Sequence, residues 1–319
     1  MTNIAKNFND KIKAAKDIVI IMHNNPDGDA LGSALCLAQL IELNFGVTPI
    51  CIYDGKLPNF IDWLPKKDNY VKHVSEISSD MKTDLAIVVD CGDLDLVKET
   101  AKQIFNNSKD SIKIDHHPDL KDFAELNIVK LTAAAAQIIL NLALDLNWKI
   151  NTDIATCIYT AILTDTGNFR HIKTPDAFID TAKCVEFGAN PELISQIMGK
   201  KNKQDVLINA EIILNTQFFF NDKLAISVID KQTYPRLDGK GSNTMAELLS
   251  IDTIEYIALI KEVKTDEIYV SLRSKTDPVN IIAKELGGGG HPNAGAFKSQ
   301  TSIENTTKLL IAEFTAILS

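Results

Sequence analysis

The segment His23-Asn24-Asn25-Pro26-Asp27-Gly28-Asp29 packs one imidazole and two carboxylates into seven residues, a donor set suited to a divalent cation. Three further acidic or histidine-bearing positions can join it: Asp90, the run Asp115-His116-His117, and Asp165 in Leu163-Thr164-Asp165-Thr166-Gly167-Asn168-Phe169-Arg170-His171. Five of the six histidines lie in or beside the motif loops, and only His73 does not. A mixed carboxylate and imidazole set of this size can hold two divalent ions with one carboxylate bridging. Such a pair clamps the attacking and leaving oxygens of phosphoryl transfer. Imidazole among oxygen ligands favours Mn²⁺ or a similar transition ion over Mg²⁺. The residues therefore point to a two-metal phosphoesterase.

Each fragment taken alone has a plainer reading. Asp-Gly-Asp can be a solvated turn, Asp90 a helix cap, His116-His117 a polar turn, and the Asp165 loop a helix C-cap. An EF-hand is excluded, because Leu31 occupies the fifth loop position and Ala38 the twelfth, where Glu belongs. What selects the metal reading is the joint occurrence of these residues at the ends of regular elements.

Those elements can be read from the apolar pattern. Ile18 to Met22 and Asp84 to Val89 are continuous apolar runs of buried-strand type, and Ser111 to Ile114 is a short strand that delivers Asp115. Val47 to Tyr53 and Leu126 to Val129 add two more strands, and Leu57 to Leu64 reads as a surface connection. Helical spacing is expected over 4–15, 31–43, 93–107, 133–146 and 153–163. Strand, acidic loop and helix repeat in that order, which predicts an α/β, doubly wound, mainly parallel sheet with the chemistry at the strands' C-terminal ends. Gly28 and Gly32 read as space for the turn and the helix start. Residues 1–189 form the expected catalytic domain and 190–215 a helical linker. Over 216–319 a smaller α/β domain is expected across a cleft, with antiparallel strands at 224–229, 254–263 and 267–272, and helices at 279–286 and 303–318.

Bulk properties narrow the partners. The net charge of −9 argues against a long nucleic-acid groove, which draws its affinity from many Lys and Arg contacts to phosphate; a small anion bound locally remains compatible. Lysine supplies 30 of the 33 basic residues, so Arg170, Arg236 and Arg273 stand out. Cys36, Cys51, Cys91, Cys157 and Cys184 form no CxxC pair, against a zinc knuckle or disulfide framework. No apolar run approaches the roughly 20 residues of a membrane span, and no signal-peptide core opens the chain. A cytoplasmic protein is expected, with no membrane partner.

The ordered set His-x-x-Pro-Asp-x-Asp-Ala-x-Gly-Ser from His23, an Asp after an apolar strand, Asp-His-His, Thr-Asp-Thr-Gly-x-Phe-Arg and Gly-Gly-Gly-Gly-His resembles the DHH phosphoesterase family with its DHH-associated C-terminal domain. The likeness runs from His23 to Phe297 and is closest to the stand-alone two-domain branch of oligoribonucleases that are also 3′-phosphoadenosine-5′-phosphate phosphatases. The resemblance implies one metal on His23, Asp27 and Asp90, and a second on Asp29, Asp90, His116 and Asp165, with Asp90 as the bridge. It also implies that His117 is a catalytic residue facing the substrate phosphate and that Asp115 orients the histidines from behind. Arg273 at a strand end suits bidentate phosphate binding. Gly288, Gly289 and Gly290 let backbone N–H groups approach an anion, His291 adds a donor, and Arg170 reaches a phosphate or base. Two departures qualify the likeness: residues 91–97 lack the arginine that many relatives carry after this aspartate, and the small residues after His291 fit only loosely.

The expected function is Mn²⁺-dependent hydrolysis of short RNA oligonucleotides to mononucleotides, and of 3′-phosphoadenosine-5′-phosphate to AMP; a homodimer is allowed. Rivals are a phosphodiesterase of cyclic di-AMP or linear pApA, an inorganic pyrophosphatase on the same N-terminal fold, and a catalytically silent nucleotide-binding module.

Overall fold

The computed structural model describes residues 2–117, 121–172, 174–237, 244–265 and 267–318, apart from the side chains of Asn59 and His291. The chain divides into two compact units, Met1–Gly199 and Lys200–Ser319.

In the first unit, six strands form a parallel sheet: β1 (Ile18–Ile21), β2 (Ile50–Tyr53), β3 (Val71–His73), β4 (Leu85–Val89), β5 (Asp110–Asp115) and β6 (Leu126–Val129), in the order β3-β2-β1-β4-β5-β6. Helix α1 (Asn3–Ala14) precedes β1. The others are α2 (Gly28–Phe45), α3 (Lys67–Tyr70), α4 (Glu99–Asn106), α5 (Ala135–Asp145), α6 (Thr152–Asp165), α7 (Asp176–Glu186) and α8 (Pro191–Met198). The strands read as unbroken apolar runs because both faces are covered. Ile18, Ile20, Ile87, Ile112 and Ile114 enter one core with residues of α1, α2, α5 and α6. Val19, Ile21, Ala86 and Val88 enter another with Ala101, Ile104 and Phe105 of α4. Strand order reverses between β1 and β4, so the loops leaving their C-terminal ends diverge and open a crevice there. His23, Asp27 and Asp29 follow β1 in the chain, and Asp90 follows β4.

Helices α2 and α6 lie against each other through small residues. A methyl group on Gly32 would sit 2.7 Å from both Ala161 Cβ and Cys157 O, and one on Gly28 would overlap Thr164. Gly28 opens α2 directly after its N-cap, as the expected helix start, and Gly28 and Gly32 are in addition contact residues of a tight helix pair, a role beyond the space for a turn that the sequence suggested. The contact matters because α2 carries Asp29 and α6 ends on Asp165. Gly32→Ala is expected to destabilise the protein by about 1–3 kcal/mol through overpacking, read as a lowered midpoint in denaturant unfolding.

The second unit has a mixed sheet in the order β11-β12-β10-β9-β8-β7, from β7 (Gln217–Phe219), β8 (Leu224–Ile229), β9 (Tyr256–Lys264), β10 (Glu267–Ser274), β11 (Gly289–His291) and β12 (Ala294–Ser299). Its helices are α9 (Lys203–Leu214), α10 (Thr244–Leu249), α11 (Asn280–Glu285) and α12 (Ile303–Leu318). The strands are not all antiparallel as expected: β8 and β9 pair in parallel, which a connection long enough to carry α10 permits. The segment 190–215 is helical, but it is shared between the units. Ile194 of α8 joins the first unit's core, while Ile208 and Ile212 of α9 pack with Ile229 and Leu259 of the second.

Candidate metal centre

Asp27 is the N-cap of α2. Its Oδ1 accepts from the backbone N–H of Asp29 at 3.0 Å and of Ala30 at 3.1 Å, which fixes where the first turn begins. Asp29, one residue into the helix, is fully buried. Its carboxylate accepts from Ser33 Oγ at 2.9 Å and from the N–H groups of Ala135 and Ala136, at 2.5 and 3.2 Å. Those two amides open α5, whose N-cap Ala134 has no side-chain hydrogen bond to offer. Asp29 therefore caps α5 from 106 residues away in sequence, and the positive end of that helix favours its charge.

Asp90 leaves β4 with φ +53°, a left-handed conformation that aspartate tolerates better than most side chains. Its backbone N–H donates to Ile114 O at 2.9 Å. The carboxylate is almost fully buried and splits its oxygens: Oδ2 lies 3.9 Å from His23 Nε2, and Oδ1 lies 3.3 Å from His116 Nε2. His23 Nε2 is also 4.0 Å from Asp27 Oδ1. His116 Nε2 is 3.8 Å from Asp29 Oδ2 and 3.6 Å from Asp165 Oδ2.

Both imidazoles are oriented from behind. His23 Nδ1 lies 3.0 Å from Asn24 O and His116 Nδ1 lies 3.1 Å from Thr132 O. A carbonyl can only accept, so each Nδ1 carries the proton and each Nε2 faces the carboxylates, the arrangement typical of metal-ligating histidine. His117, by contrast, commits Nδ1 to Asp115 Oδ1 at 2.8 Å and stands half exposed.

Burial, with Asp90 beside it, pushes the Asp29 carboxyl well above its ordinary range. Burial also raises Asp90, against the pull of the neighbouring His116 imidazole. Asp165 is pushed up to about 6, mainly by burial and by the charges of Asp90 and Asp27, with His116 opposing. Burial works against a charged His116, but the Asp90 carboxylate 3.3 Å away and the charge of Asp29 outweigh it and bring the imidazole up to about 10. His117 is raised by its bond to Asp115. Asp115 ends below its usual range, because His117 and Lys113 outweigh its burial. Asp29, Asp90 and Asp165, with His116 among them, repel one another or retain protons unless positive charge enters the group.

A divalent ion fits that need. His23, Asp27 and Asp90 form one group able to hold a metal, and Asp29, His116 and Asp165 another, with donor atoms in each group within 4.8 Å of one another. Octahedral bonds near 2.1 Å place neighbouring donors about 3 Å apart and opposite ones about 4 Å, and the separations of 3.3–4.0 Å measured here fall in that range. Asp90 Oδ1 is buried with no hydrogen-bond partner among the described residues, as expected of an atom meant for a cation. A third grouping, Asp90 with His116 and His117, is weaker on these grounds, because Asp115 already engages His117 Nδ1.

The remaining sequence candidates are more dispersed. Arg170 is exposed in the turn after α6. Arg273, on β10 opposite Ala294 of β12, is exposed and its Nη1 donates to Leu272 O at 2.8 Å. Gly289 and Gly290 lie in the edge strand β11, and Gly288 precedes it. A methyl group would overlap Ala296 O at Gly288 and Ala294 O at Gly290, whereas Gly289 faces open space. The glycines thus allow β11 to lie close on β12, and an edge strand keeps unpaired backbone groups for a ligand. The side chain of His291 lies outside the described residues. The capping of α5 by Asp29 and the fully buried Lys113 were not anticipated from sequence. For Lys113 a signal existed, as the one charged residue between two apolar residues of a buried strand.

Residues 17–162 match the DHH family N-terminal domain and residues 221–319 the DHHA1 domain. A protein of Streptococcus mutans described as a probable bifunctional oligoribonuclease and PAP phosphatase NrnA is 30% identical over 299 residues, which cover 92% of this chain and 93% of that one. The bifunctional oligoribonuclease and PAP phosphatase NrnA of Thermus thermophilus is 27% identical, covering 88% and 83%. The crystal structure of an exopolyphosphatase-related protein from Bacteroides fragilis shares the fold, with a TM-score of 0.89 over 100% of this chain and 99% of that one, at 22% identity. The chain belongs to the DHH family, with a DHHA1 domain following its N-terminal domain, and is a hydrolase acting on phosphoester bonds.

Proposed function

We propose that the protein hydrolyses short oligoribonucleotides to mononucleotides and 3′-phosphoadenosine-5′-phosphate to AMP, using two Mn²⁺ ions on His23, Asp27, Asp29, Asp90, His116 and Asp165. The observation that carries this reading is the pair of adjacent ligand groups between which Asp90 divides its two oxygens. The substrates are those in the names of the relatives from Streptococcus mutans and Thermus thermophilus, and the mixed nitrogen and oxygen donors favour Mn²⁺.

Two divalent ions bound there supply acidity to water and positive charge to the phosphoryl oxygens of an in-line displacement. The chain's own residues do the rest. The carbonyls of Asn24 and Thr132 hold His23 and His116 in one tautomer. His117 keeps its proton on Nδ1 toward Asp115 at 2.8 Å, so its half-exposed outer edge is free to meet the substrate phosphate. Arg273, Gly288, Gly289, Gly290 and His291 are assigned to nucleotide binding, with Arg170 as a further phosphate or base contact. The five cysteines are free and buried, which suits a cytoplasmic enzyme. Among the described residues no helix is long and apolar enough to cross a membrane.

Purified protein with Mn²⁺ is expected to degrade an RNA dinucleotide and to dephosphorylate the adenosine bisphosphate, and to act far more slowly on long RNA. If both small substrates stay intact while cyclic di-AMP, pApA or pyrophosphate is consumed, the substrate assignment is wrong.

A further inference from the structure

We propose that Lys113 is a positioning residue for the reaction: its buried ammonium locks the Asp115 carboxylate and the two loops beside it, and thereby fixes the direction in which His117 meets the substrate. This rests on the reading of His117 as the group that faces the substrate phosphate.

Strand β5 sends Ile112 and Ile114 to one face of the sheet and Ser111, Lys113 and Asp115 to the other. All three polar residues engage the loops at that face or the end of the strand. Ser111 Oγ accepts from the N–H of Glu125 at 3.0 Å. Lys113 is 0% exposed, and a buried ammonium is costly unless every donor is used. Its Nζ donates to Gly92 O and to Lys121 O, each at 3.1 Å, and lies 3.5 Å from Asp115 Oδ2. The Phe123 ring, 4.8 Å from Nζ, closes the fourth side. Two donors meet carbonyl oxygens, and the Asp115 carboxylate balances the charge across an ion-pair distance.

The acceptors are the informative part. Gly92 is two residues past Asp90, and Lys121 is four past His117, so one side chain ties together the loops that follow β4 and β5. The ion-pair partner, Asp115, is the residue that holds His117. Asp115 Oδ1 takes the His117 Nδ1–H at 2.8 Å and the N–H of His116 at 2.9 Å. Asp115 Oδ2 is buried, and among the described residues no donor reaches it in hydrogen-bond geometry. The Lys113 ammonium is the positive group beside it. An aspartate carboxylate rotates in a broad, two-fold well about its last torsion. Held on the Oδ2 side, it keeps Oδ1 aimed at His117.

The test is a double-mutant cycle of Lys113→Met and His117→Ala, with kcat, KM and bound metal measured on the dinucleotide. Loss of positioning by about an ångström is expected to lower kcat of Lys113→Met by about tenfold or more, with KM little changed and two metals still bound. In the His117→Ala background the same substitution is expected to change kcat by less than about twofold, because its effect runs through His117. An equal loss in both backgrounds, or no loss in the wild-type background, overturns the proposal. Full activity of His117→Ala alone would instead remove the reading of His117 on which it rests. If Lys113→Met does not fold, Lys113→Gln, which keeps a donor on a shorter stem, goes through the same cycle with the same criteria.

Discussion

Asp90→Asn is expected to lower turnover by about a thousandfold or more, the scale seen when a preorganised electrostatic element is removed from a reacting centre, while the fold survives. Asparagine matches aspartate in size and tolerates the φ of +53° found at this position. What it lacks is the charge and the second oxygen. Asp90 Oδ2 faces His23 at 3.9 Å and Oδ1 faces His116 at 3.3 Å, so one substitution weakens both ligand groups at once. Metal content should fall below two ions per chain, and the thermal midpoint of the metal-free protein should stay level or rise, since a buried carboxylate that repels its neighbours is gone. Asp90→Ala is a poorer probe, because alanine pays for the left-handed backbone as well. Turnover of Asp90→Asn near that of the wild type, with two metals bound, would remove the bridging role.

Metal binding is expected to expel protons and to reverse the pH dependence of stability. Asp165 is raised to about 6 and Asp29 and Asp90 are raised as well. A carboxyl whose pKa is higher in the fold than in the unfolded chain costs stability above its ordinary value of 3.8, and the cost grows until the pH passes the folded value. His116, shifted from 6.5 up to about 10, contributes stability that is full below its ordinary value and is lost as pH rises toward the folded one. Both trends carry the same sign, so the metal-free protein should weaken as the solution becomes more basic. Divalent ions bind the deprotonated donors and gain affinity over the same range, and bound metal stabilises by mass action. Thermal melts from about pH 5.5 to about pH 9, with and without saturating Mn²⁺, should therefore diverge as pH rises, and titration calorimetry in buffers of different ionisation heat should show at least about one proton released per chain. Mn²⁺ affinity that is flat across this range, with no proton release, would contradict the electrostatics described above.

Much of this architecture is legible in the sequence wherever burial is symmetric or spacing is chemical. Strands β1 and β4 announce themselves because both faces are covered, which leaves five apolar residues in a row. The ligand loops stand out because aspartate and histidine recur at the ends of such runs. Elements that depend on tertiary context are less visible. Strand β12 begins Ala-Gly-Ala, with little intrinsic strand preference, and is held by its ladders to β10 and β11. Helix α7 carries Phe178 and Ile179 on an exposed face, which blurs its amphipathic period. The helix expected over 93–107 is a 3₁₀ turn at Leu94–Leu96 and then α4, because Asp93 caps a first short turn through the N–H of Asp95. In the site, the loops that carry the candidate ligands could be found from spacing, and the resemblance to the DHH family is what picked six ligands among their residues. The support behind them could not be read from either: Asp29 is held by amides more than a hundred residues downstream, and Lys113 shows its use only when Gly92 and Lys121 come together around it.

The central claim is that two metals share Asp90, and the most direct test is an anomalous difference map at the manganese edge from crystals grown with Mn²⁺. The account predicts two peaks about 3.5–4 Å apart, one beside His23 and Asp27, the other beside Asp29, His116 and Asp165, with Asp90 contacting both. A single peak, or two peaks that Asp90 does not bridge, would contradict it.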